Sequence, residues 1–391
     1  MPYPLGFSAA REIRMANPIR RIAICTGGGD APGLNAVIRA TVTAAANRGW
    51  ECVGIRDGYN GILQPERYPK GGVALLTRDQ VRGIAHLGGT MLGTTNKGDP
   101  FHFPVPRADG TLGETDRSGE IVDYFQREGI DALVAVGGDG SLTIANALHR
   151  KGLRVVGVPK TIDNDLDKTF TTFGFDTAVS FATECLDRLH STAESHQRVM
   201  VVEVMGRYAG WIALHAGIAG GAHAILIPEI AFDLDQVANK IREREAEGRQ
   251  YSLVVVAEGA QPHHGQRAVL APAEIGHAER LGGIGEHVAR DLALRTGKDA
   301  RVVVLGHLLR GGSPTSFDRL AALRFGAAAV RALEQGLSGV MVSLGFPNVN
   351  YVNLEEVAGR MKAVPPDSDT LQTGRDLGVC FGDSAANPVL N

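Results

Sequence analysis

Aromatic side chains are scarce in this 391-residue sequence, at 6%. That argues against the stacking platforms that hold single-stranded nucleic acid. The four cysteines, Cys25, Cys52, Cys185 and Cys380, are widely scattered and form no C-x-x-C pair. Neither a disulfide framework nor a zinc ribbon is encoded, and a reduced, cytoplasmic setting is expected. No apolar run approaches the roughly 18 residues of a membrane-spanning helix. Residues 1–20 carry arginines but no apolar leader core, and read as a loose tail. Charge of either sign is not in excess, since 40 basic and 43 acidic residues leave a net −3. No global field therefore draws nucleic acid or an anionic membrane. Two common phosphate fingerprints are missing as well. Gly27, Gly29 and Gly33 do not follow G-x-G-x-x-G, and the pair Gly297-Lys298 leads into Asp299 where a P-loop needs Ser or Thr.

Glycine, by contrast, is abundant: 50 residues, roughly twice ordinary usage. Short runs rich in Val and Ile read as buried strands at 21–25, 132–136, 154–158, 198–204, 224–227, 252–257 and 301–305. Between them apolar residues recur at helical spacing, as at 34–45, 181–189 and 237–245. Alternating βα units predict an α/β fold with doubly wound parallel sheets in two lobes. The glycines cluster where a strand gives way to a helix: GGGD (27–30), GGDG (137–140), MGRYAG (205–210) and GHLLRGG (306–312). Glycine there lets backbone approach a phosphate while the next helix N-terminus supplies N–H groups and dipole. The polar segment 94–120, rich in Gly, Pro and Asp, reads either as an active-site flap or as a surface insertion.

Three groups of residues carry chemistry. Gly138 and Gly140 allow close backbone approach, Ser141 can donate to phosphate, and Asp139 is an acid placed among phosphates, which implies Mg²⁺ between them. The plainer reading makes Asp139 a helix N-cap. The next strand ends in PKTIDND (159–165), where Asp163 and Asp165 beside Lys160 form an acid pair suited to proton transfer. The plainer reading there is an Asx-turn. Arg198, Arg207, Arg301 and Arg310 stand at strand termini, apt for bidentate phosphate binding, and Glu258 suits sugar hydroxyls.

The strings GGGDAPGLNAVIR, GGDGS, TIDND, SHQR, VVEVMGRYAGW and GHLLRGGSP occur in order, and from about Arg21 to about Gly339 the chain resembles the 6-phosphofructokinase family. The resemblance implies Mg²⁺-dependent phosphoryl transfer to the 1-hydroxyl of fructose 6-phosphate, a step of glycolysis. It implies two three-layer αβα lobes with the active site in the cleft between them. The larger, 21–174 plus 310–360, would bind the donor and Mg²⁺; the smaller, 175–309 plus 361–391, would bind fructose 6-phosphate. By the same resemblance Asp163 is the general base, Thr161 holds the transferring phosphoryl, Asp165 supports it, and Arg207 stabilises transition-state charge. Asp139 is the magnesium acid; Gly28, Gly29, Gly138, Gly140 and Ser141 form the donor cradle, with Asn96, Lys97 and Lys160 beside it. The sugar phosphate falls to Ile162, Arg198, Met205, Gly206, Glu258, Arg301, His307, Leu308, Leu309 and Arg310. Arg198 and Arg301 are implied to come from a neighbouring subunit, hence a homotetramer or at least a dimer.

The donor signature is mixed. Family members that use ATP read GGDG and PGTIDND, whereas pyrophosphate users read GGDD and PKTIDND. Gly140 is of the first type and Lys160 of the second. An Asp at 140 would crowd and repel a nucleotide α-phosphate, so Gly140 favours ATP. Lys160, a long and mobile cation, would help bind pyrophosphate without blocking ATP. GGDG also occurs in lipid and NAD kinases, but the TIDND string and the Arg207, His307 and Arg310 pocket argue against these. A catalytically silent sugar-phosphate sensor would not need Asp139, Thr161, Asp163 and Arg207 together.

Overall fold

The computed structural model describes residues 18–107, 109–263, 265–272 and 279–384. Residues 1–17 of the expected tail and 385–391 of the expected smaller lobe lie outside them.

The chain builds two main sheets. The larger runs in the order Asn348–Asn353, Val340–Gly345, Val155–Thr161, Ala132–Gly137, Arg21–Thr26, Glu51–Ile55, Val73–Leu76, with Phe173–Gly174 paired to Val155–Thr161. Its interior pairings are parallel and its two edge strands antiparallel. The smaller sheet is parallel throughout, in the order Ala224–Leu226, Ser252–Ala257, Val199–Val204, Ala300–Val304. Alternation along each strand feeds two cores per sheet. Ile22 and Ile24 face one core and Ala23 and Cys25 the other; Val202 and Val204 face one side of the small sheet and Val199 and Val201 the opposite side. Helix Leu34–Ala46 packs against Ser316–Glu334 closely enough that a Cβ at Gly326 would stand 2.6 Å from the Val37 carbonyl.

Strand order fixes where a ligand can sit. In the large sheet the chain moves from Arg21–Thr26 to one neighbour, Glu51–Ile55, and later returns to the other side with Ala132–Gly137. In the small sheet Val199–Val204 is likewise flanked by Ser252–Ala257 and Ala300–Val304. Each reversal leaves a crevice beyond the carboxyl ends of the strands. The four glycine clusters read from the sequence follow those strand ends. After the large sheet, the C-terminal segment returns to the small one: Cys380 bridges to Ala224, and helix Asp369–Asp376 packs on Trp211–Ala219. Among the described residues no helix is long and apolar enough to cross a membrane.

Candidate active site

The first glycine loop, 27–30, is stitched to its neighbours through backbone. Gly27 N donates to Val136 O at 2.9 Å and Gly28 N to Thr95 O at 2.9 Å, while Thr94 Oγ1 donates to Gly28 O at 2.6 Å. Ser141 Oγ lies against this loop, 2.7 Å from where a Gly27 Cβ would stand. Asp139 is the first residue of helix Asp139–Arg150, and no side chain caps that helix. Its Oδ1 instead accepts from Gly359 N at 2.7 Å, so the N-cap reading is set aside. The helix N-terminus thus opens beside both glycine loops with its N–H groups and dipole aimed outward. Gly140 is exposed, and a Cβ there would meet no atom within 4 Å. The fold itself does not demand glycine at that position.

The segment 94–120 divides into two parts. Residues 94–98 border the first glycine loop, with Asn96 and Lys97 exposed on a turn in which Thr95 Oγ1 accepts from Lys97 N at 3.0 Å. The remainder contains a surface hairpin, Phe103–Pro106 with Leu112–Thr115, anchored by buried Phe103.

Lys160 corrects an expectation. It is not a mobile cation: its side chain is buried, only 2% exposed, and Nζ donates to the Gly29 carbonyl. Burial, reinforced by the Arg310 charge, lowers its pKa to about 8. The ammonium therefore stands behind the first glycine loop as a fixed charge.

The acid pair sits at the end of the adjacent strand. Asp163 N donates to Thr161 Oγ1 at 3.0 Å, and Thr161 Oγ1 lies 3.3 Å from Asp163 Oδ2. Asp163 is 4% exposed. Asp163 Oδ1 and Asp165 Oδ1 are both buried without a hydrogen-bond partner among the described residues. Between them Asn164, at φ 53°, accepts from Thr172 N at 3.2 Å through its Oδ1. Buried carboxylate oxygens without donors are costly, and here they point to chemistry. Burial, then the neighbouring Asp163, raises the Asp165 pKa to about 6.

That shift carries a stability consequence. The folded state holds the Asp165 proton more tightly than the unfolded chain does. Its contribution to stability is therefore complete below the usual carboxylate range and is lost as pH rises through about 6. Asp165→Asn removes a burden on the order of 3 kcal/mol at neutral pH. The melting temperature of the variant is expected to exceed the parent's at pH 8 and to match it near pH 4. Equal melting temperatures at pH 8 would contradict this origin of the shift.

The small sheet supplies the facing wall. Met205, Gly206 and Arg207 follow strand Val199–Val204, and Arg207 adopts φ 49°, a left-handed conformation uncommon for a non-glycine residue. Glu258, just past the neighbouring strand Ser252–Ala257, holds this turn: its Oε1 accepts from Arg207 N at 3.0 Å and from Gly206 N at 3.3 Å. The following Gly259 is needed, because a Cβ there would collide with the Arg207 carbonyl. Burial first, and then the Asp163 charge, raises the Glu258 pKa, which ties the two walls together electrostatically. His307 and Leu308 are exposed on the turn Gly306–Arg310. Arg310 reaches across to the first glycine loop, donating to the Asp30 carbonyl at 3.0 Å.

Not every expected side chain enters this cleft. Ile162 and Leu309 are buried in the small-sheet core, so only their backbone groups remain for a ligand. Arg198 and Arg301 stand at the opposite, amino ends of their strands, both paired with Asp299 at 2.6 and 2.5 Å. They do not join the other site residues within one chain. Two residues that sequence reasoning passed over do border the site, Lys362 and Glu229; nothing in their local sequence marks them.

Glycine-lined helix N-terminus, fixed cations and unpartnered acids, set at two facing strand-order reversals, are the parts a phosphoryl-transfer site requires. Comparison with known proteins agrees. Residues 21–333 match the family model described as Phosphofructokinase, and the chain belongs to that family. It is 51% identical over 369 residues to an ATP-dependent 6-phosphofructokinase of Chloroflexus aggregans, covering 94% of this chain and 99% of that one. It is also 48% identical over 348 residues to a pyrophosphate–fructose 6-phosphate 1-phosphotransferase of Amycolatopsis mediterranei, covering 88% and 96% respectively. Among solved structures, phosphofructokinase from Saccharomyces cerevisiae superposes with a TM-score of 0.71 at 31% identity, covering 86% of this chain. The chain spans 45% of that longer yeast polypeptide.

Proposed function

We propose that this protein transfers the γ-phosphoryl group of ATP to the 1-hydroxyl of fructose 6-phosphate, giving fructose 1,6-bisphosphate and ADP. The observation that carries the reading is the pair of buried, unpartnered oxygens on Asp163 and Asp165, with Asp163 charge-coupled to Lys160 at the first glycine loop and to Glu258 at the Arg207 turn. Relatives named as ATP-dependent enzymes at about 50% identity support the choice of donor.

Asp163 accepts the proton of the sugar 1-hydroxyl as that oxygen forms its bond to the γ-phosphorus; the bond to the ADP oxygen breaks in line. Thr161 and Arg207 hold the transferring group, and Asp165 supports them. Gly28, Gly29, Gly138, Gly140 and Ser141 offer backbone and hydroxyl donors to the phosphates, with Lys160 as a fixed charge behind Gly29. Asn96 and Lys97 approach the donor from the neighbouring turn. Met205, Gly206, Glu258, His307, Leu308 and Arg310 bind the sugar phosphate, together with the backbone of Ile162 and Leu309.

The acids fit a magnesium ion. Asp139 and Asp163 both push the Asp165 pKa upward, a concentration of negative charge that a cation would relieve. No group of three or more His, Cys, Asp or Glu side chains among the described residues could cage a metal alone. Mg²⁺ characteristically binds through one or two carboxylates plus substrate phosphates and water. Asp139 would hold it, and the ion would neutralise charge building on the phosphate oxygens.

Arg198 and Arg301 complete the pocket for the 6-phosphate of an adjacent subunit in a homo-oligomer, a tetramer by family resemblance. Their position at the far strand ends supports this arrangement; a fully active monomer would contradict it. The lobe carrying residues 21–174 and 310–360 binds the donor, and that carrying 175–309 and 361–391 the sugar. Assay of fructose 1,6-bisphosphate formation with each donor tests the whole reading.

A further inference from the structure

The motif TIDND is not held in place by its own neighbours alone. Asn164, between its two acids, receives the ammonium of Lys362, whose Nζ donates to Asn164 Oδ1 at 3.0 Å. The same Nζ reaches the carbonyls of Thr169 at 3.1 Å and Phe170 at 3.3 Å. All three donor positions of the ammonium are thereby spent on the loop that carries Asp163 and Asp165. The backbone adds to this. Lys362 N donates to Asp165 O at 2.8 Å, and Met361 bridges to Leu166 in antiparallel fashion.

The other edge of the same short segment grips the sugar-facing wall. Lys362 O accepts from Trp211 Nε1 at 2.8 Å, and the Lys362 ammonium lies 5.6 Å from the Trp211 ring centroid. Val364 N donates to Glu229 Oε1 at 2.8 Å, and Glu229 also accepts from Gly210 N at 3.0 Å. Gly210 and Trp211 close the MGRYAGW turn that presents Arg207.

We propose that residues 361–364 form a strap that sets the acid loop against the Arg207 turn, with Lys362 as its positioning residue. The inference rests on the phosphoryl-transfer reading above and names how that site is aligned. Lys362 touches neither substrate nor reacting atom; it acts through Asn164 and the Asp165 carbonyl. Its loss spares the first glycine loop, which is stitched independently through Gly27, Gly28 and Lys160. Misplacement of a catalytic group by about 1 Å can cost about 100-fold in rate.

The test compares Lys362→Ala and Lys362→Arg with the parent in fructose 6-phosphate phosphorylation, with folded protein quantified by circular dichroism and thermal melting. Lys362→Ala is expected to lose about 10- to 100-fold in kcat per folded molecule and to raise the fructose 6-phosphate KM about threefold, with the ATP KM unchanged. Added propylammonium is expected to restore several-fold activity, where an equal concentration of tetramethylammonium restores none. Lys362→Arg, which keeps the charge, is expected to fall between Ala and parent. The strap is overturned if Lys362→Ala retains parental kcat and KM, or if its loss equally affects both substrates and no primary amine rescues it. If Lys362→Ala does not fold, Trp211→Phe carries the test by removing the Nε1–H bond to Lys362 O: a raised fructose 6-phosphate KM is expected, and unchanged kinetics overturn the strap. A parent that phosphorylates the sugar while these variants match it removes the strap alone. An inactive parent overturns the phosphoryl-transfer reading and the strap with it.

Discussion

Asp163→Asn is expected to lower kcat by about 1,000-fold while the KM for either substrate changes by less than about threefold. Asparagine preserves the side-chain volume and can keep the contact with Thr161 Oγ1 and the backbone bond from Asp163 N. What it cannot do is take a proton from an attacking hydroxyl. The buried Oδ1 has no other partner to satisfy among the described residues, so the substitution disturbs no structural bond. Folding should be unimpaired or improved, because one of several closely spaced acids is neutralised. Residual turnover would reflect the cradle and cations, which position and stabilise without the base. Near-parental turnover in a folded variant would remove Asp163 from the chemistry.

Gly140→Asp should separate the two donors. A Cβ at this position meets no protein atom within 4 Å, and position 140 is the second residue of helix Asp139–Arg150. An acidic residue in the first turn complements the helix dipole, and replacing glycine lowers the entropy of the unfolded chain. Stability is therefore expected to hold or rise slightly. Activity with ATP should behave differently. A like charge about 4 Å from a phosphate oxygen, at an effective dielectric of about 20, costs about 4 kcal/mol. Allowing for relaxation, kcat/KM with ATP is expected to fall at least about 100-fold. Pyrophosphate lacks the α-phosphate and nucleoside that would occupy this space on the proposed reading, so activity with it should be spared or enhanced. Parental efficiency with ATP in the variant would contradict Gly140 as the determinant.

Much of the candidate site was legible because each of its proposed parts is contiguous in sequence and follows or ends a strand. GGGD, GGDG, TIDND and MGR announce themselves through residue type alone, and the strand-order reversals then bring them together. Legibility failed where the third dimension decides. Lys160 looks like any flexible lysine until the Gly29 carbonyl and surrounding protein immobilise it. Ile162 and Leu309 lie inside functional strings but obey the hydrophobic pattern instead and enter the core. Arg310, expected on the sugar phosphate, also fastens the two walls through the Asp30 carbonyl. Lys362 lies far along the chain from Asn164, and no local spacing can encode that meeting. In the fold, Glu51–Ile55 and Val340–Gly345 escaped the reading of strands. The first is five residues interrupted by Gly54, and the second mixes Met and Ser with valine, so neither stands out from a buried helical turn.

The most direct test is a coupled assay of purified protein with fructose 6-phosphate and Mg²⁺, supplying ATP or pyrophosphate at matched concentrations. Formation of fructose 1,6-bisphosphate with ATP, at least about tenfold more efficient than with pyrophosphate, is the expected result. Turnover with pyrophosphate alone, or binding of fructose 6-phosphate without turnover by either donor, would contradict the assignment.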